Sequence, residues 1–247
     1  RFRFDGKTYG GFQGDTLASA LLANDVRLVA RSFKYHRPRG ILSAGSEEPN
    51  AIVTVGTGVH QDPNVRATVQ EIYNGFEAVS QNRWPSLKND LLSVNDLMAP
   101  FLSAGFYYKT FMWPRAFWEK LYEPVIRRAA GLGALSEQPN EDTYERAFAH
   151  CDVLVIGAGP AGLWAAYQVA QSGLDVILAA EDFRMGGRLN SEVDEIGGKP
   201  AVDWAAEMVA TMGQMENLRL MTRTTVTGAY DGGIYSAVER VSHHMNV

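Results

Sequence analysis

The chain has 247 residues, with 23 Lys plus Arg against 28 Asp plus Glu, a formal charge of −5, and 46% hydrophobic residues. At about 150 residues per domain this describes one large or two ordinary soluble domains able to bury a core, and the acidic balance argues against a nucleic-acid binder. Cys151 is the single cysteine, which excludes an intrachain disulfide framework and any four-cysteine zinc or iron–sulfur site within the chain; the composition reads as soluble and cytoplasmic.

In chain order, Arg1-Phe2-Arg3-Phe4 alternates, Asp5-Gly6 turns and Lys7-Thr8-Tyr9 returns, a hairpin pattern. Gly14-Asp15-Thr16 opens a helix from about Leu17 to Asn24, with Asp15 or Thr16 as N-cap and Leu17, Ala20, Leu21 and Leu28 as its apolar stripe. Ile52–Val55 reads as a strand, and so does Arg66–Ile72. No charged leader with an apolar segment precedes Phe2, so no signal peptide is read, and both ends of the chain read as cut.

Residues 86–145 are punctuated by prolines and rich in aromatics from Phe101 to Tyr122, with helical pieces near Phe117–Ala130. Flexible linkers lack Trp, Tyr and Phe, so this reads as an ordered connector lying on another surface. Trp84, Trp113 and Trp118 read as packing or interface anchors. The stretch Gly131–Asn140 is the candidate boundary.

From His150 the pattern becomes strand (Val153–Ile156), helix (Ala161–Gln171) and strand (Val176–Ala179). Continuous apolar strands around a helix predict a parallel sheet covered on both faces. The run from Val153 to Ala170 is long and apolar, but Gly157, Gly159, Pro160 and Gly162 break it, so no membrane span is read. A helix over Ala201–Met212, ended by Gly213, and a hairpin of Thr224–Tyr230 with Ile234–Val241 follow.

Gly157-Ala158-Gly159-Pro160-Ala161-Gly162 matches G-x-G-x-x-G, and it has the strand before and the helix after that the pattern requires. The first glycine permits the tight turn, the second lets backbone approach a pyrophosphate, and the third lets helix and strand pack closely. Glu181 falls 24 residues after Gly157, at the end of the second strand. A carboxylate there accepts hydrogen bonds from ribose hydroxyls and repels a 2′-phosphate, which disfavours NADP. Arg184-Met185-Gly186-Gly187-Arg188 resembles the R-x-G-G-R run of flavin-binding relatives, its glycines suited to close approach and its arginines to phosphate. These features predict an adenine dinucleotide and leave NAD against FAD open.

Other groups read as ordinary. Cys151 reads as a small core residue, and His243-His244, with no acidic or cysteine neighbour, as surface. The one local basic cluster, Arg27, Arg31, Lys34, His36, Arg37 and Arg39, reads as a subunit interface or an anion contact. No metal site is expected.

Phe33-Lys34-Tyr35-His36-Arg37-Pro38-Arg39-Gly40-Ile41, Glu47-Glu48-Pro49-Asn50, the connector and Glu181 to Asn190 together resemble the alpha subunit of heterotetrameric sarcosine oxidase. The resemblance implies an α/β and α+β architecture. Its parts are a [2Fe–2S] ferredoxin-like β-grasp domain over 1–85, the connector over 86–147, and over 148–247 the N-terminal part of an FAD/NAD(P)-binding Rossmann-like domain. The plant-type ligand pattern falls on Ser43, Glu48, Ala51 and Thr68, none a cysteine, so the shell is expected to carry no cluster.

The resemblance further implies an N-terminal fragment of a longer chain with a folate-binding, aminomethyltransferase-like remainder, acting with beta, gamma and delta subunits. Sarcosine would be oxidised on a flavin (FMN/FAD) of the beta subunit with oxygen as acceptor. Hydrogen peroxide would form, with formaldehyde or, through tetrahydrofolate, methylenetetrahydrofolate. The alpha subunit would hold NAD without turnover, with Ala161 at the phosphate turn, Glu181 and Asp182 at the ribose, and Arg188 and Thr227 near the dinucleotide. Ala180 departs from an Asp and Asp182 from an Arg found in relatives, which bears on the ribose contacts. The fragment alone is expected to be inactive. Two alternatives are the alpha subunit of an FAD-dependent proline or opine dehydrogenase, and a non-catalytic scaffold.

Overall fold

The computed structural model describes residues 1–109, 111–131, 133–139 and 143–241; His243 and His244 lie outside them. The chain divides into two compact units, 1–142 and 143–247.

The first unit is built on a five-stranded sheet. Strands β1 (Phe2–Phe4) and β2 (Lys7–Tyr9) form the hairpin read from the alternation. Strands β5 (Ile52–Val55), β6 (Asp62–Arg66) and β7 (Glu77–Ser80) complete the order β2-β1-β7-β5-β6, in which β1 and β7 alone run parallel. A short pair, β3 (Ala30–Arg31) and β4 (Pro38–Arg39), stands apart. Helix α1 (Leu17–Ala23) lies on the sheet, and Leu17, Ala20 and Leu21 join Phe2, Phe4, Val53 and Phe76 in the core. Burying each of the larger side chains contributes roughly 1.5–3 kcal/mol. Thr16 is the N-cap: its Oγ1 accepts from the Ser19 N–H at 3.1 Å, and the Ser19 hydroxyl accepts from the Thr16 N–H at 3.0 Å. Leu28 packs on this core from beyond the helix end, since Asn24 already caps α1.

One expected strand is displaced. The sheet takes Asp62–Arg66, and the following residues turn away toward α1, where the carbonyls of Ala67 and Gln70 accept from the N–H groups of Ala18 and Leu17 at 2.9 and 2.8 Å. The first turn of a helix lacks internal acceptors for its N–H groups; here those acceptors come from the segment read as strand.

The Pro- and aromatic-rich segment falls almost wholly within the first unit. It holds a 3-10 helix over Leu91–Met98, a short helix α2 (Phe106–Lys109), a π-helical turn over Trp118–Tyr122 and helix α3 (Glu123–Ala129). Phe111 packs at a tilt on Tyr122 and edge-to-face with Phe106, at 5.3 and 5.8 Å between centroids. Arg31 donates to the Leu87 carbonyl, Tyr35 to that of Leu102 at 2.9 Å, and Arg37 pairs with Asp96 at 2.7 Å. Trp84 and Trp113 are exposed, and Trp118 is half-buried.

In the second unit β8 (Val153–Ile156), helix α4 (Pro160–Gln171), β9 (Val176–Ala179), helix α5 (Ala201–Met212) and β12 (Leu218–Met221) form a three-stranded parallel sheet of order β12-β9-β8 packed by the two helices. Between β9 and α5 lies a two-stranded ribbon, β10 (Glu195–Ile196) with β11 (Lys199–Pro200). An antiparallel hairpin, β13 (Thr224–Tyr230) and β14 (Ile234–Glu239), follows. Double coverage holds for β9, which is buried throughout. It does not hold for β8, which is an edge strand among the described residues and leaves Ile156 57% exposed. No helix among the described residues is long and apolar enough to cross a membrane.

Candidate dinucleotide-binding site

The parallel strands β8 and β9 end side by side, and the chain leaves β8 through the glycine turn. Gly157 has φ +96°, in the region that favours glycine, and its N–H donates to the Ala179 carbonyl at 2.8 Å. A Cβ on Gly162 would stand 1.9 Å from the Gly157 carbonyl oxygen, so only glycine lets α4 start this close to β8. Gly159 caps α4 without any side-chain hydrogen bond, and Pro160 opens the helix where its missing N–H costs nothing. The N–H groups of Gly159, Ala161 and Gly162 therefore find no protein acceptor among the described residues. Free amides at a helix N-terminus, aligned with its dipole, form an anion cradle, and a Cβ on Gly157 or Gly159 would meet only open space.

The second glycine run packs on the first. The Gly186 N–H donates to the Ala158 carbonyl at 2.8 Å, and a Cβ on Gly187 (φ +56°) would lie 3.0 Å from the Gly159 Cα. Met185 and Leu189 are buried in the core beneath and fix this run in place. Glu181 stands two residues beyond the end of β9 and is exposed, and its carbonyl accepts from Arg240 at 3.1 Å; Asp182 beside it is half-buried. Gly157 to Gly162, Gly187 and Glu181 are thus gathered at the carboxyl ends of neighbouring strands, the position where open α/β sheets bind ligands. Two other expected residues are engaged elsewhere: Arg188 pairs with Glu192 at 2.6 Å, and the Thr227 hydroxyl meets that of Ser236 at 2.8 Å across the β13–β14 hairpin.

A second convergence of amides occupies the first unit. The fully buried Glu48 carboxylate accepts from the N–H groups of Leu42, Ser43, Asn50 and Ala51 at 2.8, 2.6, 2.7 and 3.1 Å, and from the Ser43 hydroxyl at 3.2 Å. Burial pushes this carboxyl up, but the backbone donors of Ser43, Asn50, Leu42 and Ala51 together hold it below the usual carboxylate range. Thr68 closes the same loop by donating to the Gly45 carbonyl at 2.7 Å. Sequence reasoning named Glu48 as an unsuitable cluster ligand and missed what it does. The available signal was an acid inside a ligand pattern where only a soft thiolate would serve.

Two further groups carry polarity inside the chain. His36 and Asp90 form a fully buried pair, Nδ1 to Oδ2 at 2.7 Å, that ties the connector to the β3–β4 loop. Cys151 is half-buried at the entry to β8, less enclosed than a core residue. Among the described residues no cluster of His, Cys, Asp and Glu is placed to hold a metal ion.

The two units define a class: a ferredoxin-like domain followed by an NAD(P)-binding Rossmann-like domain. Residues 1–83 match the family described as 2Fe-2S iron-sulfur cluster binding domain, and 155–224 the NAD(P)-binding Rossmann-like domain family. The fold is shared with the crystal structure of L-proline dehydrogenase from P. horikoshii, at TM-score 0.53 and 21% identity over 96% of this chain and 36% of that one. More particularly, the chain is homologous over nearly its whole length to part of the sarcosine oxidase alpha subunit. It is 58% identical over 244 residues, 99% of this chain and 25% of the relative, to that of Rhizobium meliloti (strain 1021). It is 35% identical over 243 residues, 98% of this chain and 20% of the relative, to that of Corynebacterium sp. (strain P-1). The chain spans about a quarter or less of these relatives.

The first family's description implies a [2Fe–2S] cluster, and the residues present do not fit one. A plant-type cluster is held by four thiolates; Ser43, Glu48, Ala51 and Thr68 supply none, and the loop's N–H groups already bind the Glu48 carboxylate. The residues of the glycine turn do fit a dinucleotide pyrophosphate: unpaired amides, open space above them and no acidic group among Gly157 to Gly162.

Proposed function

We propose that this chain is the dinucleotide-holding, cluster-free segment of a sarcosine oxidase alpha subunit, with NAD as its ligand and FAD as the alternative. The observation that carries the reading is the set of unpaired N–H groups at Gly159, Ala161 and Gly162 with Gly187 pressed against them. The amides and the α4 dipole hold the pyrophosphate, Glu181 accepts from the ribose hydroxyls and excludes a 2′-phosphate, Asp182 flanks it, and Ala158 and Pro160 shape the turn. Arg188 and Thr227 border the nucleotide once their present partners are exchanged. A bound nicotinamide dinucleotide supplies hydride chemistry in other settings; in this one it stays in place.

The homology to alpha subunits supports the larger setting. There a flavin elsewhere in the complex oxidises sarcosine to glycine with oxygen. Hydrogen peroxide and formaldehyde, or methylenetetrahydrofolate, leave a cytoplasmic assembly with beta, gamma and delta subunits. The segments 1–85, 86–147 and 148–247 act as shell, connector and nucleotide module.

Denaturing the purified complex and identifying the released nucleotides tests this reading. One equivalent of NAD per alpha subunit is expected. FAD traced to the alpha subunit moves the assignment to a proline or opine dehydrogenase, and no adenine nucleotide ends the reading. The isolated chain is expected to turn over no sarcosine, and measurable peroxide from it refutes the indirect role.

A further inference from the structure

The basic segment between Arg27 and Arg39 is not used by the dinucleotide site, and the structure sorts it. Arg27 pairs with Asp25 at 2.9 Å and Arg37 with Asp96 at 2.7 Å. Lys34 donates to the Leu102 carbonyl, His36 meets Asp90, and Arg31 donates to the carbonyls of Leu87 and His36. Arg39 alone of the six has no acceptor among the described residues. Arg39 lines a cavity of about 490 Å³ in the first unit, together with Arg31 and Arg66. Arg66 reaches only a main-chain acceptor, the Glu48 carbonyl at 3.2 Å, and no carboxylate pairs with it among the described residues.

The cavity is thus cationic within a chain of net charge −5. Among the described residues no acidic residue lines it. Glu48, next in sequence to the lining residue Pro49, keeps its carboxylate buried and saturated by backbone donors. Asn50 is a polar residue of the lining, and Phe33 and Ile52 are apolar ones. The volume lies in the range of small-molecule pockets, roughly 300–1,000 Å³, which are apolar with a few placed polar groups. Guanidinium forks match carboxylate and phosphate oxygens in pairs. Arg31, in the same lining, stands 4.0 Å from the Asp90 carboxylate; the guanidinium groups of Arg39 and Arg66, with no counter-ion among the described residues, are most simply completed by an anion from outside.

We infer that this cavity binds a small organic oxyanion, a carboxylate or a phosphate ester, with Arg39 and Arg66 as its ion-pairing groups and Asn50 as a hydrogen-bond donor. The site belongs to the first unit and stands whether or not the second holds NAD.

Calorimetric titration of the full chain with citrate and, separately, with glycerol phosphate tests it, with NMR of the ¹⁵N-labelled chain to locate the ligand. Saturable one-to-one binding of at least one probe is expected, at least about tenfold weaker in Arg39→Gln and in Arg66→Gln and unchanged in Arg219→Gln of the second unit, since each lost ion pair is a charge-assisted contact. Signals of Arg39 Nε–H, the Asn50 carboxamide and the Gly131 N–H should move while those of Gly159 and Ala161 stay. Preference for citrate or for glycerol phosphate separates the two sources. Absence of saturable binding by both probes, shifts confined to Gly159–Gly162, or full affinity in Arg39→Gln overturns the inference. Should a glutamine variant fail to fold, the shifts mapped on the unsubstituted chain decide alone.

Discussion

Two loops of this chain converge backbone N–H groups on a point, and they differ in what sits there. In the first unit four amides close on Glu48, a carboxylate the chain supplies itself; in the second, the amides of Gly159, Ala161 and Gly162 close on no protein atom among the described residues. The chemistry is the same, since converging N–H groups demand negative charge. The origin of that charge separates structure from binding. A loop that carries its own anion is sealed, and one that leaves its donors open is a candidate site. In a ferredoxin thiolates hold the cluster and hydrogen bonds to the sulfurs tune it; here a buried acid takes the anionic position in the loop.

The comparison breaks most sharply at Gly162. Gly162→Val places a branched side chain where even a Cβ would lie 1.9 Å from the Gly157 carbonyl. Helix α4 must move off β8, which is expected to cost more than ~3 kcal/mol in the second unit and to abolish dinucleotide retention. Nucleotide content after denaturation and the melting transition of the second unit both read it. Full retention would show that the turn is not where the ligand is held.

Next comes Glu48→Gln. The amide keeps one acceptor oxygen but turns an NH₂ group toward amides that can only donate, and unsatisfied buried donors cost about 1–3 kcal/mol each. A loss of about 2–3 kcal/mol, or roughly 5–10 °C in melting temperature, is expected, with nucleotide content unchanged. The sign of the pH dependence follows from the lowered carboxyl. Its stabilisation is fully present above the unfolded value of about 4.3 and disappears as pH falls through the lower folded value. The gap between wild type and Glu48→Gln should therefore be widest near neutrality and close in acid. A gap that widens in acid contradicts the assignment.

Glu181→Gln is expected to weaken dinucleotide binding by about tenfold, near 1.4 kcal/mol, through loss of charge on an acceptor of ribose hydroxyls. It should also narrow the discrimination against a 2′-phosphate. Calorimetry with NAD and NADP checks both, and unchanged selectivity removes Glu181 from the ribose.

Much of this was legible because local physics and tertiary structure agree. Leu17 to Ala23, the Thr16 cap, Gly157 to Gly162 and the helix ending at Gly213 each carry their signal within a few residues. What was not legible depends on distant partners. Arg66 to Ile72 has strand composition, but the first turn of α1 claims its carbonyls. Ile156 belongs to an apolar run, yet sheet order, which no local pattern encodes, places it at an edge. In the basic segment, Asp96 and Asp90 engage Arg37 and His36 from more than fifty positions away, so composition could not tell the satisfied cations from Arg39.

The smallest effect is expected at Arg188, which already has a carboxylate beside it. Its guanidinium stands 2.6 Å from Glu192 one helical turn on, with 73% of its side chain exposed. Exposed pairs of this spacing contribute about 0.3–0.5 kcal/mol, so Arg188→Ala should barely move the melting temperature. A nucleotide phosphate can recruit the side chain only by displacing Glu192, and the exchange of one partly hydrated ion pair for another leaves little net gain. Dinucleotide affinity should then fall by no more than about threefold, given that surface ion pairs are worth under ~1 kcal/mol. Glu192→Gln makes the comparison internal: with its competitor removed, Arg188 is freed for phosphate and affinity should rise slightly. A tenfold loss in Arg188→Ala, matched by a clear gain in Glu192→Gln, would mean that the second unit also draws on side-chain charge and that its open amides are not sufficient by themselves.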